Sequence, residues 1–200
     1  MGKTIFPRAV LFDLLTALLD SWAVWNSVAG TEEAAGGMWR AEYLRLTYGC
    51  GAYVPYEQLV RTAARTAGLP DAAADTLDER WVELAAWSGA VVTNCSERLG
   101  MLAAGRLNIP WDCVVTAEAA GYYKPDPRPY RLALARIDVP AAKAAFVAGS
   151  GYDLFGARAV GLRTYWHNRV GLKRPDRAPP ANFESPTLDQ LIPWLEGRLP

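Results

Sequence analysis

The chain has 200 residues, 51% of them hydrophobic, enough to bury one substantial core but not two large independent ones. Lys plus Arg and Asp plus Glu number 21 each, so the summed charge offers no field to draw in nucleic acid or an anionic membrane, and partners of those kinds are not expected. The three cysteines, Cys50, Cys95 and Cys113, are too few and too scattered for a disulfide framework or a zinc site, and read as reduced, mostly buried thiols.

The amino-terminal segment MGKTIFPRAVLFDLLTALLD starts basic and turns apolar, but Asp13 and Asp20 interrupt it and no small-residue cleavage site follows. No uninterrupted apolar stretch is long enough to span a bilayer, so a cytoplasmic location is the default expectation. Ala9 to Phe12 is a short apolar run ending at an acid, the pattern of a buried parallel strand meeting a loop, with Asp13 at its carboxyl end. From about Ser21 to Trp87, WRAEYLRLTYG, YEQLVRTAARTAGL and DAAADTLDERWVELAAW place apolar residues at helical spacing, which predicts a helical insertion, or cap. Further strands are expected at Ala90 to Thr93, Cys113 to Thr116, Ala144 to Ala148 and Arg163 to Trp166. PRPYRLALARIDV and DLFGARAVGL read as helices between them, Lys173 to Pro186 as a loop and LDQLIPWLEGRL as a last helix. Strands alternating with helices imply an α/β fold, a doubly wound parallel sheet covered on both faces, with residues 1–20 and 88–200 as core and 21–87 as cap.

Polar residues follow each strand candidate: Asp13, then Thr93 and Asn94, then Lys124, then Ser150 with Asp153. In a parallel sheet such ends converge on one edge, where open α/β sheets bind ligands. Each residue alone has an ordinary reading, as a helix cap, a turn or a solvated charge. Together the segments FDLLTALLD, VVTNCSE, YYKPDPRPY and AGSGYDLFGA resemble the four ordered motifs of the haloacid dehalogenase (HAD) superfamily, over nearly the whole chain. The resemblance implies a Rossmann-like core in which Asp13 attacks the substrate and forms an ester that water then hydrolyses. Lys124 would hold Asp13 ionised, Thr93 and Asn94 would bind anionic oxygens of the substrate, and Asp153 would orient Lys124 or the hydrolytic water.

Phosphatases of this superfamily usually carry a second acid two residues after the nucleophile and a further acid in the fourth motif for magnesium; here Leu15 and Gly149 stand at those positions. Displacing halide from a 2-haloacid needs neither a proton for the leaving group nor a metal. The cap segment MWRAEYLRLTY resembles the arginine-bearing helix of L-2-haloacid dehalogenases, which makes Arg40 the candidate halide group. Tyr130 matches a tyrosine such enzymes keep near the nucleophile, and RTYWHNRVG resembles their segment after the last motif. His167, the only histidine, reads as structural.

The chain departs from the dehalogenase pattern at Leu15, where an aromatic residue is usual, at Ala17, where a threonine is expected, and at Ser150, where asparagine is usual; Thr16 stands one position early. Only Ser88 and Gly89 lie between Trp87 and Ala90, where the family it resembles normally places a linker and a core helix before the second strand. Either the last cap helix supplies the crossover, or part of the natural chain is absent. The leading expectation is a metal-independent hydrolase acting on a small anionic substrate, a 2-haloacid, with no cofactor and with a homodimer as its possible assembly. Two alternatives stay open: an atypical magnesium-dependent phosphatase with Asp13 and Asp153 as ligands, and a catalytically silent protein that kept the fold.

Overall fold

The computed structural model describes residues 7–19, 21–30, 33–83, 91–107 and 110–199. Six strands, β1 (Ala9–Asp13), β2 (Val91–Thr93), β3 (Val114–Thr116), β4 (Ala144–Ala148), β5 (Arg163–His167) and β6 (Phe183–Ser185), form one sheet in the order β3-β2-β1-β4-β5-β6. All neighbours run parallel; Asp13 pairs with Val92 on one side of β1, and Phe12 with Val147 on the other.

Alternation explains the layering. In β4 all five residues are buried, Ala145 and Val147 in one apolar cluster and Ala144, Phe146 and Ala148 in a second. Phe12 and Leu11 of β1 divide the same way, as do Tyr165 and Trp166 of β5. Strands without a solvent face need helices above and below. α7 (Pro127–Arg136) and α8 (Asp153–Ala159) cover one side through Tyr130, Leu134 and Leu154. The other side meets α5 (Glu97–Gly105), α9 (Leu191–Leu195) and the helices inserted after β1.

Those inserted helices are α1 (Ser21–Ala29), α2 (Glu33–Cys50), α3 (Tyr56–Thr66) and α4 (Asp71–Glu79), followed by a 3-10 turn at Arg80–Glu83. α3 shows why they form: Tyr56, Leu59, Val60, Ala63 and Ala64 recur at one-turn spacing and are the residues it buries, with Glu57 in the first turn and Arg65 in the last. Among the described residues, α1 to α4 and the turn make the crossover from β1 to its parallel neighbour β2. Residues 84–90, where the sequence places the shortened junction, lie outside the described residues.

The strands expected from Ala9, Ala144 and Arg163 begin at those residues, and Ala90 lies outside the described residues. Two expectations need correction. Lys173 to Pro186 is not all loop, because Phe183–Ser185 adds a sixth strand beside β5. Asn182 prepares that pairing, its side-chain oxygen accepting from the Thr164 N–H at 2.8 Å. The last helix spans only Leu191–Leu195, shorter than its apolar pattern suggests. The short α6 (Ala117–Ala120), capped by the Thr116 hydroxyl, was also not anticipated. No helix among the described residues is long and apolar enough to cross a membrane.

Candidate active site

The chain leaves β1 for β2 and β3 on one side and returns to β4 on the other, so the sheet's switch point lies between β1 and β4. Loops diverge there at the carboxyl ends of the strands and leave a crevice. Asp13 closes β1 at that edge, buried, with both carboxylate oxygens engaged. Oδ1 accepts from the Lys124 ammonium at 2.6 Å. Oδ2 accepts from the Thr16 hydroxyl at 2.5 Å, the Thr16 N–H at 3.1 Å and the Ala17 N–H at 3.3 Å. Burial alone would push this carboxyl up, but the Lys124 charge and the Thr16 hydrogen bonds outweigh it and hold Asp13 below the usual carboxylate range. The acid is therefore an anion within a desolvated site, the state a nucleophile requires.

Lys124 reaches Asp13 from the loop after α6, and its ammonium also lies 3.1 Å from Asp153 Oδ1. Burial works against its charge, yet the two carboxylates raise its affinity for the proton above the ordinary lysine value. Its backbone is pinned from both sides by Asn94, whose side-chain oxygen accepts from the Lys124 N–H at 2.8 Å and whose amide donates to the Lys124 carbonyl at 3.1 Å. The loop then runs straight into α7, which Asp126 caps by accepting from the Arg128 N–H at 2.9 Å. Gly156 lets α8 come this close: a Cβ there would sit 2.3 Å from the Pro125 carbonyl oxygen and 2.4 Å from the Tyr130 ring.

Asp153 opens α8 and is pushed up to about 6, first by burial and also by the nearby Asp13 charge, with Lys124 pulling the other way. Its Oδ2 is buried without a hydrogen-bond partner among the described residues. The Tyr130 hydroxyl donates to Asp153 at 3.2–3.3 Å. At the end of β5, buried His167 donates from Nδ1 to the Ala17 carbonyl at 2.9 Å, and burial lowers its affinity for a proton, so the ring anchors the loop after Asp13 as a neutral group.

A cavity of about 50 Å³ opens over Asp13, lined also by Leu15, Thr16, Arg40, Asn94, Lys124, Ser150 and Asp153. Two expected substrate contacts take other partners. The Thr93 hydroxyl faces the Cys95 thiol at 3.1 Å and does not line the cavity, because the alternation of β2 turns residue 93 into the core. Tyr130, fully buried against Phe146, stands behind Asp153 and does not reach the cavity either. Asn94 lines the cavity, but both ends of its amide are spent on the Lys124 backbone. The Arg40 guanidinium lies 4.0 Å from the Trp22 ring centre and donates to the Ser21 hydroxyl at 2.7 Å, while the Ser150 hydroxyl accepts from the Tyr152 N–H at 3.3 Å.

Sequence reasoning overlooked Tyr43, Leu44, Thr47 and Tyr48 as cavity residues. The signal was present: with Arg40 they recur at positions i, i+3, i+4, i+7 and i+8, one face of α2. Tyr43 also ties that helix to the core by donating to the Asn94 carbonyl at 2.8 Å.

The residues do not fit a magnesium ion. The Lys124 ammonium is bonded to Asp13 and Asp153 together, the two carboxylates a divalent ion would need. An acid at position 149 has no room, since a Cβ on Gly149 would lie 2.2 Å from Thr16 Oγ1 and 2.3 Å from the Ala17 nitrogen.

No family model matches the chain. It is 29% identical to (S)-2-haloacid dehalogenase 1 of Pseudomonas sp. (strain CBS-3), over 96% of this chain and 97% of that one. It is 28% identical to (S)-2-haloacid dehalogenase 4A of Burkholderia cepacia, over 94% of each. The first alignment runs to 222 positions, more than the 200 residues here, so that relative carries segments this chain lacks. Among solved structures, a dehalogenase with an intermediate complex superposes with a TM-score of 0.81 at 26% identity, over 96% of this chain and 98% of the other.

Proposed function

Since the chain belongs to the haloacid dehalogenase superfamily of hydrolases, we propose that it removes halide from a small 2-haloacid through an ester on Asp13. The observation that carries this reading is the buried Asp13–Lys124–Asp153 cluster, whose ammonium bonds both carboxylates, with Leu15 and Gly149 where phosphatases of the superfamily carry further acids. The attacking oxygen of Asp13 bonds to C2 of the acid, the carbon–halogen bond breaks, and halide leaves with the electron pair. Water then adds to the Asp13 carboxyl carbon and expels the 2-hydroxy acid, so one water is consumed and one proton and one halide are released. Halide needs no protonation to depart, so Leu15 can replace the second acid without loss of the step.

Arg40, on α2 among the helices inserted after β1, lines the cavity and offers the departing halide a cation. During hydrolysis Lys124 keeps the ester close to a positive charge. Asp153, with a buried oxygen left over and an affinity for protons near neutrality, is suited to take the proton of the water. The Thr16 hydroxyl and the N–H groups of Thr16 and Ala17 donate to one carboxylate oxygen, where negative charge builds as water adds.

The test is halide release from (S)-2-chloropropionate in excess EDTA, with Asp13→Asn alongside. Release by the native chain and a loss of at least about 1,000-fold in the variant is the expected result. No release from the native chain would overturn the assignment for this substrate.

A further inference from the structure

Beside the cavity over Asp13 lies an outer hollow of about 440 Å³, lined by Tyr48, Tyr152, Phe155, Lys173, Arg174, Pro175 and Asp176. The two spaces have two residues in common, Tyr48 and Tyr152. Tyr48 comes from the last turns of α2 and Tyr152 from the loop that opens α8. Their rings meet edge to face with centroids 5.0 Å apart, and Tyr48 meets Phe155 in the same way at 5.9 Å. Tyr48 is 45% exposed and Tyr152 39%, as expected of rings with one face toward each space. Among the described residues neither hydroxyl makes a hydrogen bond like those that tie Tyr43 and Tyr123 to backbone carbonyls.

Size gives this wall its consequence. One water needs roughly 10–15 Å³ of such volume, so the inner space of about 50 Å³ takes a handful of heavy atoms, a two- or three-carbon acid. A longer alkyl chain anchored at Asp13 has to pass the pair of rings, and the space beyond them is a wider hollow open to solvent. We infer that Tyr48 and Tyr152 are specificity-determining residues that set the chain length of the acid, and that the outer hollow is the antechamber through which it arrives. Lys173 and Arg174 give that antechamber two cations against the single carboxylate of Asp176, the sign that suits an incoming carboxylate.

This rests on the reading of Asp13 as a site for small carboxylates, so two measurements are paired. Halide release is compared for 2-bromopropionate and 2-bromohexanoate in the native chain, Tyr48→Ala and Tyr152→Ala; calorimetry compares binding of lactate and 2-hydroxyhexanoate to the same proteins. In the native chain the short acid is expected to lead in both series. In either variant the long-to-short ratio of kcat/KM, and of binding constants, is expected to rise at least about tenfold. An unchanged ratio in both variants, each still folded by circular dichroism, overturns the wall. Failure of halide release with the binding ratios shifted as expected removes the proposed reaction and leaves the wall standing. Binding of neither hydroxy acid overturns both.

Discussion

At the scale of single residues, the site is governed by how two buried carboxylates share one ammonium. Asp13 and Asp153 shift in opposite directions because Lys124 and Thr16 serve the first directly, whereas the second keeps an unpartnered oxygen. In the unfolded chain Asp153 would titrate near its ordinary 3.8, and in the fold at about 6. Folding therefore takes up a proton between those values, and this group costs stability as pH rises through that window, while Asp13 contributes stability that is lost as pH falls toward acid. For the proposed reaction the expected kcat profile has an acid limb centred at about pH 6, falling on the acid side as Asp153 becomes unable to accept a proton. Asp153→Asn is expected to lower the rate and abolish that limb; a limb that survives the substitution belongs to another group. Lys124→Met leaves two carboxylates buried together, and urea unfolding at neutral pH is expected to show a loss of about 3–5 kcal/mol that shrinks as acid neutralises them.

At the scale of elements, the loop after β1 and the loop after β4 are fitted against each other without spare room. Gly149 meets Thr16 and Ala17 where any side chain would stand, and His167 holds the same loop from β5. Gly149→Ala is expected to destabilise the fold by about 1–3 kcal/mol in thermal or urea unfolding and to reduce halide release by displacing the donors to Asp13. Asn94 plays a similar part between β2 and the Lys124 loop. Asn94→Ala is expected to lower kcat more than KM, since it loosens the ammonium without removing a direct substrate contact. A rise confined to KM, with kcat unchanged, would instead return Asn94 to substrate binding.

At the scale of the molecule, the inserted helices and the sheet share one apolar cluster, which runs from Trp25, Trp39 and Tyr56 through Trp81 to Leu99, Tyr165 and Trp194. Trp81 also donates to the Leu99 carbonyl at 3.2 Å, and exposed Arg98 of α5 pairs with Asp78 at 2.5 Å and lies 3.7 Å from Glu57. Exposed ion pairs of this kind contribute little, so the shared apolar cluster governs cooperativity. One unfolding transition, coincident by tryptophan fluorescence and circular dichroism, is the expected outcome; two separated transitions would show the inserted helices to be an independent unit.

By itself the sequence determined the α/β class, the parallel sheet and the positions of Asp13, Asn94, Lys124 and Asp153 at one edge. Buried strands and their terminal polar residues are written in local pattern, and the four motifs come in order along the chain. Tertiary structure decided what those side chains touch. Whether Thr93 meets a ligand or Cys95 depends on which face of β2 it occupies, and whether Tyr130 lines the cavity or backs Asp153 depends on how α7 lies against α8. β6 was illegible because three residues beside a loop acquire strand character only from the edge of β5. The face of α2 that walls the cavity, Tyr48 included, carries a helical period in the sequence. Which face turns toward Asp13 is set by packing against the sheet, a choice that periodicity alone does not make.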